Sequence, residues 1–165
     1  MIHRHDYRVF SVNTVTKHIN GIDGTFYQID APDWVAIIAE ADGLLLVESQ
    51  YRIGTEEMTL EFPGGVIEEG EDPVRAAVRE LQEETGYTGT PAIIGTMRPN
   101  PALMTNRCTT VAITTITQTM QPSLDVFEDI QVSFMTPAAI DQAITDGSFS
   151  NALHIAAFYQ WQQKR

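Results

Sequence analysis

A mixed α and β domain is the fold this chain predicts, and three observations lead there. Short runs of strand character recur from Tyr7–Val12 to Ile130–Met135. Three segments carry apolar residues at three- and four-residue steps behind helix-start signals. At 165 residues the chain is also long enough to bury a proper core as one domain, spanning 1–165, without needing a second.

The elements follow in order. Tyr7–Val12 and Thr25–Ile29 read as strands separated by the Gly21–Gly24 turn, a hairpin ahead of the main sheet. Trp34–Ala39 and Gly43–Glu48 flank Glu40-Ala41-Asp42, which reads as a second hairpin turn. Strand character returns in Ala92–Met97, Thr109–Thr119 and Ile130–Met135. One late helix begins at Pro137 and stops near Gly147; the other, Asn151–Gln163, places Leu153, Ala156, Ala157 and Phe158 at helical spacing. There are no repeats, low-complexity tracts or linkers.

The central helix carries the chemistry. Asp72 suits its N-cap and Pro73 its first position, where a missing N–H costs nothing, while Gly86 supplies the stop; roughly 13 residues lie between. Val74, Ala77, Val78 and Leu81 form an apolar stripe, and Glu80, Glu83 and Glu84 stand beside it as i, i+3 and i+4 neighbours. Three like charges so close repel, and either solvation or a hard cation relieves them. Oxygen-only donors favour Mg²⁺, with Mn²⁺ as a possible substitute, over zinc.

Gly65, Glu71, Arg79, Glu80, Glu83, Glu84 and Gly86, with Leu81 following Glu80, at these spacings resemble the box of the Nudix hydrolases, whose seven invariant letters are all present. At residue frequencies of about 6 % each, a chance match in a chain this long is rarer than about one in a million. The closing aliphatic position is Tyr87 here. The resemblance implies a layered α/β/α sandwich with a mixed sheet, a structural salt bridge between Glu71 and Arg79, and metal held by Glu80, Glu83 and Glu84 with the Gly64 carbonyl.

The flanks narrow the resemblance. Gln50-Tyr51-Arg52 and Leu60-Glu61-Phe62-Pro63-Gly64-Gly65 are similar to the ADP-ribose and nucleoside-diphosphate-sugar pyrophosphatase branch. Pro99 and Pro101 occupy the stretch where that branch carries a proline, although prolines there also simply stiffen a loop. The branch implies a diphosphate contact for Arg52, a substrate or supporting role for Glu61, and a further metal carboxylate at Glu128. Its water-activating acid falls on Val126, which leaves Asp125 or a box glutamate as the base. Phe26, Tyr27 or Trp34 are candidates to stack on a base, or to be core. The implied reaction is Mg²⁺-dependent hydrolysis of ADP-ribose or a related nucleotide sugar to a nucleoside monophosphate and a sugar phosphate. The alternatives are hydrolysis of nucleoside triphosphates or RNA 5′ ends, and a sensor that binds nucleotide sugars without cleaving them.

Composition bounds the partners. A formal charge of −12 argues against long nucleic acid as a partner, while small phosphorylated substrates stay open because metal and placed arginines invert the local potential. No apolar run approaches a membrane span, and MIHRHDYRVF lacks the apolar stretch of a secretory signal, so a soluble cytoplasmic protein without a membrane partner is expected. The lone Cys108 excludes an intramolecular disulfide and reads as a small buried residue. His3 and His5 read as solvated, and His154 as a hydrogen-bonded histidine at the core edge. The related branch implies a homodimer, for which residues 1–30 are suited.

Overall fold

The computed structural model describes residues 2–165. Three strands come first, β1 (Ile2–Asp6), β2 (Ser11–Ile19) and β3 (Ile22–Asp30), and they form an antiparallel sheet of their own. The strand expected over Tyr7–Val12 is a turn for its first four residues: the Tyr7 N–H donates to the Phe10 carbonyl at 2.8 Å and the two rings lie 5.1 Å apart. All four side chains are exposed, so their apolar character has no buried face to fill. The next reversal falls at Asn20-Gly21 rather than across Gly21–Gly24, with φ of 52° and 79°. Asn-Gly suits the two positive φ angles that a tight hairpin requires. His3 and His5 lie exposed on β1.

The main sheet contains β4 (Trp34–Ala41), β5 (Leu44–Arg52), β6 (Glu57–Glu61), β7 (Gly64–Val66), β8 (Tyr87–Met97), β9 (Cys108–Gln118) and β10 (Ile130–Met135). Its order is β10-β5-β4-β9-β8, with β6 on β5 and β7 on β4; β4 and β9 run parallel and the other pairs antiparallel. The helices are α1 (Pro73–Thr85), α2 (Pro137–Asp146) and α3 (Ala152–Gln162). β8 is longer than expected, reaching back to Tyr87.

Side-chain alternation divides the core. Val35, Ile37 and Ala39 of β4, with Leu46 of β5, pack on Ala76, Ala77 and Leu81 of α1. The intervening Ala36, Ile38, Leu45 and Val47 pack on the other face with Ile140 and Ala143 of α2 and Ala157, Phe158 and Trp161 of α3. The sheet is thus buried on both faces, the layered sandwich that its apolar central strands require.

One irregularity positions the site. β4 and β5 pair only beside their turn, at Glu40↔Leu45 and Ala41↔Leu44. Beyond it β5 takes β6 and β4 takes β7 as partners, and the Ile37 N–H donates to the Pro63 carbonyl at 2.9 Å. Phe62-Pro63-Gly64-Gly65 is thereby wedged into the middle of the sheet, in front of α1.

Candidate functional site

The caps of α1 form as their residues dictate. Asp72 Oδ1 accepts from the Val74 and Arg75 N–H groups, and Gly86, at φ 76°, donates its N–H to the Gln82 carbonyl. Ala77, Leu81 and Glu84 stand at i, i+4 and i+7 and are all buried, so Glu84 continues the apolar stripe rather than lying beside it. Glu80 is half-buried and Glu83 exposed.

The paired glycines admit these carboxylates. A Cβ on Gly64 would strike the Val35 carbonyl, and one on Gly65 would strike the Glu80 carboxylate. With neither present, Gly64 donates its N–H to Glu84 Oε2 at 3.1 Å. Arg79 lies across the other side: Nε and Nη2 reach the two oxygens of Glu71 at 3.0 and 2.9 Å, and Nη1 reaches Glu80 at 2.9 Å and Glu83 at 3.0 Å. Nη2 also donates to the Val66 carbonyl at 3.0 Å, which ties the expected Glu71–Arg79 pair to β7. Bidentate pairing holds the Glu71 carboxyl below its ordinary range.

A carboxylate that the sequence reading passed over completes the cluster. Leu46, Glu48, Gln50 and Arg52 share one face of β5 and run from the α1 core out to the cleft. Glu48 is 3 % exposed, and its Oε1 has no hydrogen-bond partner among the described residues. Burial pushes Glu84 up to about 10, with repulsion from Glu48 and Glu80 adding to it against the Gly64 N–H. Burial likewise raises Glu48 to about 8, Arg52 opposing and the neighbouring carboxylates reinforcing the shift. Desolvation outweighs Arg79 at Glu80 and raises that group too.

Arg52 is held, not loose. Its Nε and Nη2 donate to the two oxygens of Glu61 at 3.0 and 2.8 Å, while Nη1 makes no hydrogen bond among the described residues. Glu61 also accepts from Thr59 and from Asn151 Nδ2. Burial alone would raise the Glu61 carboxyl, but the donors from Arg52 and Thr59 hold it down to about 2. Both Glu61 oxygens are therefore committed inside the protein, and Glu61 orients Arg52 rather than projecting freely. His154 Nδ1 accepts the Phe62 N–H at 3.1 Å, so the ring proton sits on Nε2, and burial lowers the imidazole to about 4.

Two cavities meet here. One, of about 600 Å³, is acidic and is lined by Glu80, Glu83, Glu84, Asp125 and Glu128 among others. The second, of about 360 Å³, lies between Trp34, Cys108, Leu153 and His154. Arg52 and the Gly64–Val66 strand line both. Asp125 and Glu128 come from the β9–β10 loop, where Glu128 Oε2 accepts the Asp125 N–H at 2.9 Å; Val126 and Phe127 between them point to solvent. Phe26 and Tyr27 are not brought here: they stand exposed on β3 and line neither cavity, whereas Trp34 lines the second. Cys108 is buried, its thiol pushed up to about 11 by burial and by Asp33, as an unreactive packed residue would be.

The donor set fits a hard divalent cation. All its atoms are oxygens, and among the described residues no positive side chain is bonded to the buried members, Glu84 and Glu48. As they stand, no three His, Cys, Asp or Glu side chains among the described residues already have ion-holding geometry, and Arg79 Nη1 spans Glu80 and Glu83.

Comparison with known proteins follows the same lines. Residues 30–156 match the family model of the NUDIX domain. The chain is 45 % identical over 58 residues to the ADP-ribose pyrophosphatase of Bacillus subtilis (strain 168), across 34 % of this chain and 31 % of that protein. It is 42 % identical over 74 residues to the ADP-sugar pyrophosphatase of Mus musculus, across 42 % and 33 %. The matched stretch thus spans about a third of the length of these curated relatives. A crystal structure of an ADP compounds hydrolase shares the fold, with a TM-score of 0.88 over 99 % of this chain and 90 % of that one at 22 % identity.

Proposed function

The chain belongs to the Nudix family, and from that premise we propose that it hydrolyses the diphosphate bond of ADP-ribose or a related nucleoside diphosphate sugar, releasing a nucleoside monophosphate and a sugar phosphate. The observation that carries this reading is the pair of cavities joined at Arg52: a two-part substrate with a central diphosphate matches an acidic chamber and a less polar one that share a guanidinium. The names of the relatives, an ADP-ribose and an ADP-sugar pyrophosphatase, point the same way.

Mg²⁺ is the proposed metal, with Mn²⁺ as a substitute, and Glu80, Glu83, Glu84 and Glu128 with the Gly64 carbonyl are the proposed ligands. A bound divalent ion supplies charge neutralisation of the diphosphate oxygens and acidifies an attacking water. Arg52, already oriented by Glu61, presents Nη1 to a phosphate oxygen. Asp125, which lines the acidic chamber, is the proposed general base that takes the proton from the water. Glu71 fixes Arg79 and, through it, the spacing of the box carboxylates.

A Mg²⁺-supplemented panel of ADP-ribose, UDP- and GDP-sugars, dinucleoside polyphosphates and nucleoside triphosphates tests the assignment. A nucleoside monophosphate and a sugar phosphate in equal amounts are the expected products. Turnover confined to nucleoside triphosphates would replace this reading with the triphosphatase one.

A further inference from the structure

Glu48 stands where strand alternation puts an apolar residue. It follows Leu46 on the face of β5 that packs against α1, and it is buried to 3 % exposure between β6 and β10, its register partners being Glu61 and Val132. A carboxylate so placed needs a partner for each oxygen, yet Oε1 is fully enclosed and has none. Among the described residues no lysine or arginine is bonded to it; Arg52, the cation on the same face of the strand, commits Nε and Nη2 to Glu61 and makes no hydrogen bond to Glu48. Its acidic neighbours are Glu61, which Arg52 holds, and Glu84, Glu80 and Glu128, the last three lining the chamber proposed to hold metal. Gln50, next on that face, already lines the same chamber.

We propose that Glu48 is a further carboxylate of the cation site, its unpartnered Oε1 turned toward the ion that Glu84 binds, so that this chain holds its metal with one acidic group more than the box supplies. The inference rests on the metal-dependent reading given above. It also accounts for the juxtaposition: two buried carboxylates, one on α1 and one on β5, are unfavourable alone, and a divalent ion beside them supplies positive charge that, among the described residues, no side chain bonded to them supplies.

The test measures metal rather than turnover. Mn²⁺ is titrated into the natural protein, Glu48→Gln and Glu48→Leu, with free ion followed by electron paramagnetic resonance and unfolding temperature recorded with and without Mg²⁺. Glu48→Gln keeps the shape and removes the charge. It is expected to weaken Mn²⁺ binding roughly 10- to 100-fold, the range for groups that support a metal site. Without metal, Glu48→Leu is expected to unfold at a higher temperature than the natural protein, and its gain on adding Mg²⁺ to be smaller. If both variants bind as many Mn²⁺ ions as tightly as the natural protein, Glu48 is a buried acid with no part in the site and the proposal is overturned, with the family reading untouched. If the natural protein binds no Mn²⁺, both fall together. Should either variant fail to fold, the other carries the comparison.

Discussion

At the scale of single residues, burial decides what each ionisable group does. Glu84 is held neutral-leaning by desolvation and by its acidic neighbours, so its charge is worth most when a cation is present. Glu84→Gln is expected to cut Mg²⁺-dependent hydrolysis by several orders of magnitude while leaving the unfolding temperature in chelator unchanged or higher, because a Gln oxygen still accepts the Gly64 N–H. Near-natural turnover in that variant would remove Glu84 from the metal shell. His154 works in the opposite sense. An unfolded histidine titrates near 6.5, whereas the buried ring, lowered to about 4, refuses the proton. Its contribution to stability is therefore complete above pH 6.5 and is lost as pH falls toward 4, by at most about 3 kcal/mol. Glu61, held near 2, loses its contribution only below its ordinary carboxylate range, so the two windows separate. Urea unfolding at pH 7, 6, 5 and 4.5 checks this: His154→Gln should lose the slope between 6.5 and 4, and an unchanged slope would assign it to other groups. That Glu84 stands close to Glu80 and Glu83 was legible from their spacing on α1, though not its burial; Glu48 was not legible, since a single Glu ending an apolar strand looks solvated until one knows that α1 covers that face.

At the scale of elements, structure fixed by adjacent residues is legible in the sequence, and structure fixed by distant partners is not. α1 was bounded to the residue by Asp72, Pro73 and Gly86 because capping is a transaction between adjacent residues. The starts of α2 and α3 were legible for the same reason, through their caps Thr136 and Asn151. The expected first strand differs because Tyr7, Val9 and Phe10 are apolar yet exposed, while β2 buries only Ser11 and Val15 and owes its length to pairing with β1 and β3. The wedge of β6 and β7 between β4 and β5 could not be read from periodicity, since it depends on where a hairpin opens. That wedge makes Gly64 and Gly65 differ in a testable way. Gly65→Ala places a methyl against a movable Glu80 carboxylate, so it should impair Mn²⁺ binding and activity at least tenfold with little change in stability. Gly64→Ala meets the fixed Val35 carbonyl and should cost stability, about 1–3 kcal/mol by analogy with overpacking. Paired thermal unfolding and metal titration of the two variants decide it; equal destabilisation of both would mean that Glu80 is as immobile as the strand.

At the scale of the whole molecule, charge is unevenly placed. The chain carries −12, yet in residues 1–30 the basic Arg4, Arg8 and Lys17 balance Asp6, Asp23 and Asp30. This neutral sheet also exposes Ile19, Ile22 and Phe26, which register and alternation put on one face, an apolar surface that the main domain leaves uncovered. It is tethered rather than free: Ile29 exchanges backbone hydrogen bonds with Leu103 and Thr105, and Asp30 accepts from both Arg4 and Thr105. A second copy is the occupant we propose for it, because two strongly acidic molecules can approach closely only through a face without net charge. Light scattering at tens of micromolar should then give twice the 18.4 kDa chain mass, and Ile22→Arg combined with Phe26→Arg should give the single mass with the main domain still folded. Salt supplies the sharper criterion. The remaining acidic surfaces repel across the interface, so the dimer should tighten as ionic strength rises from about 20 to 200 mM and the screening length shrinks. An association held by cross-chain ion pairs would weaken instead, and that outcome, or a monomer throughout, would take the N-terminal sheet out of the interface.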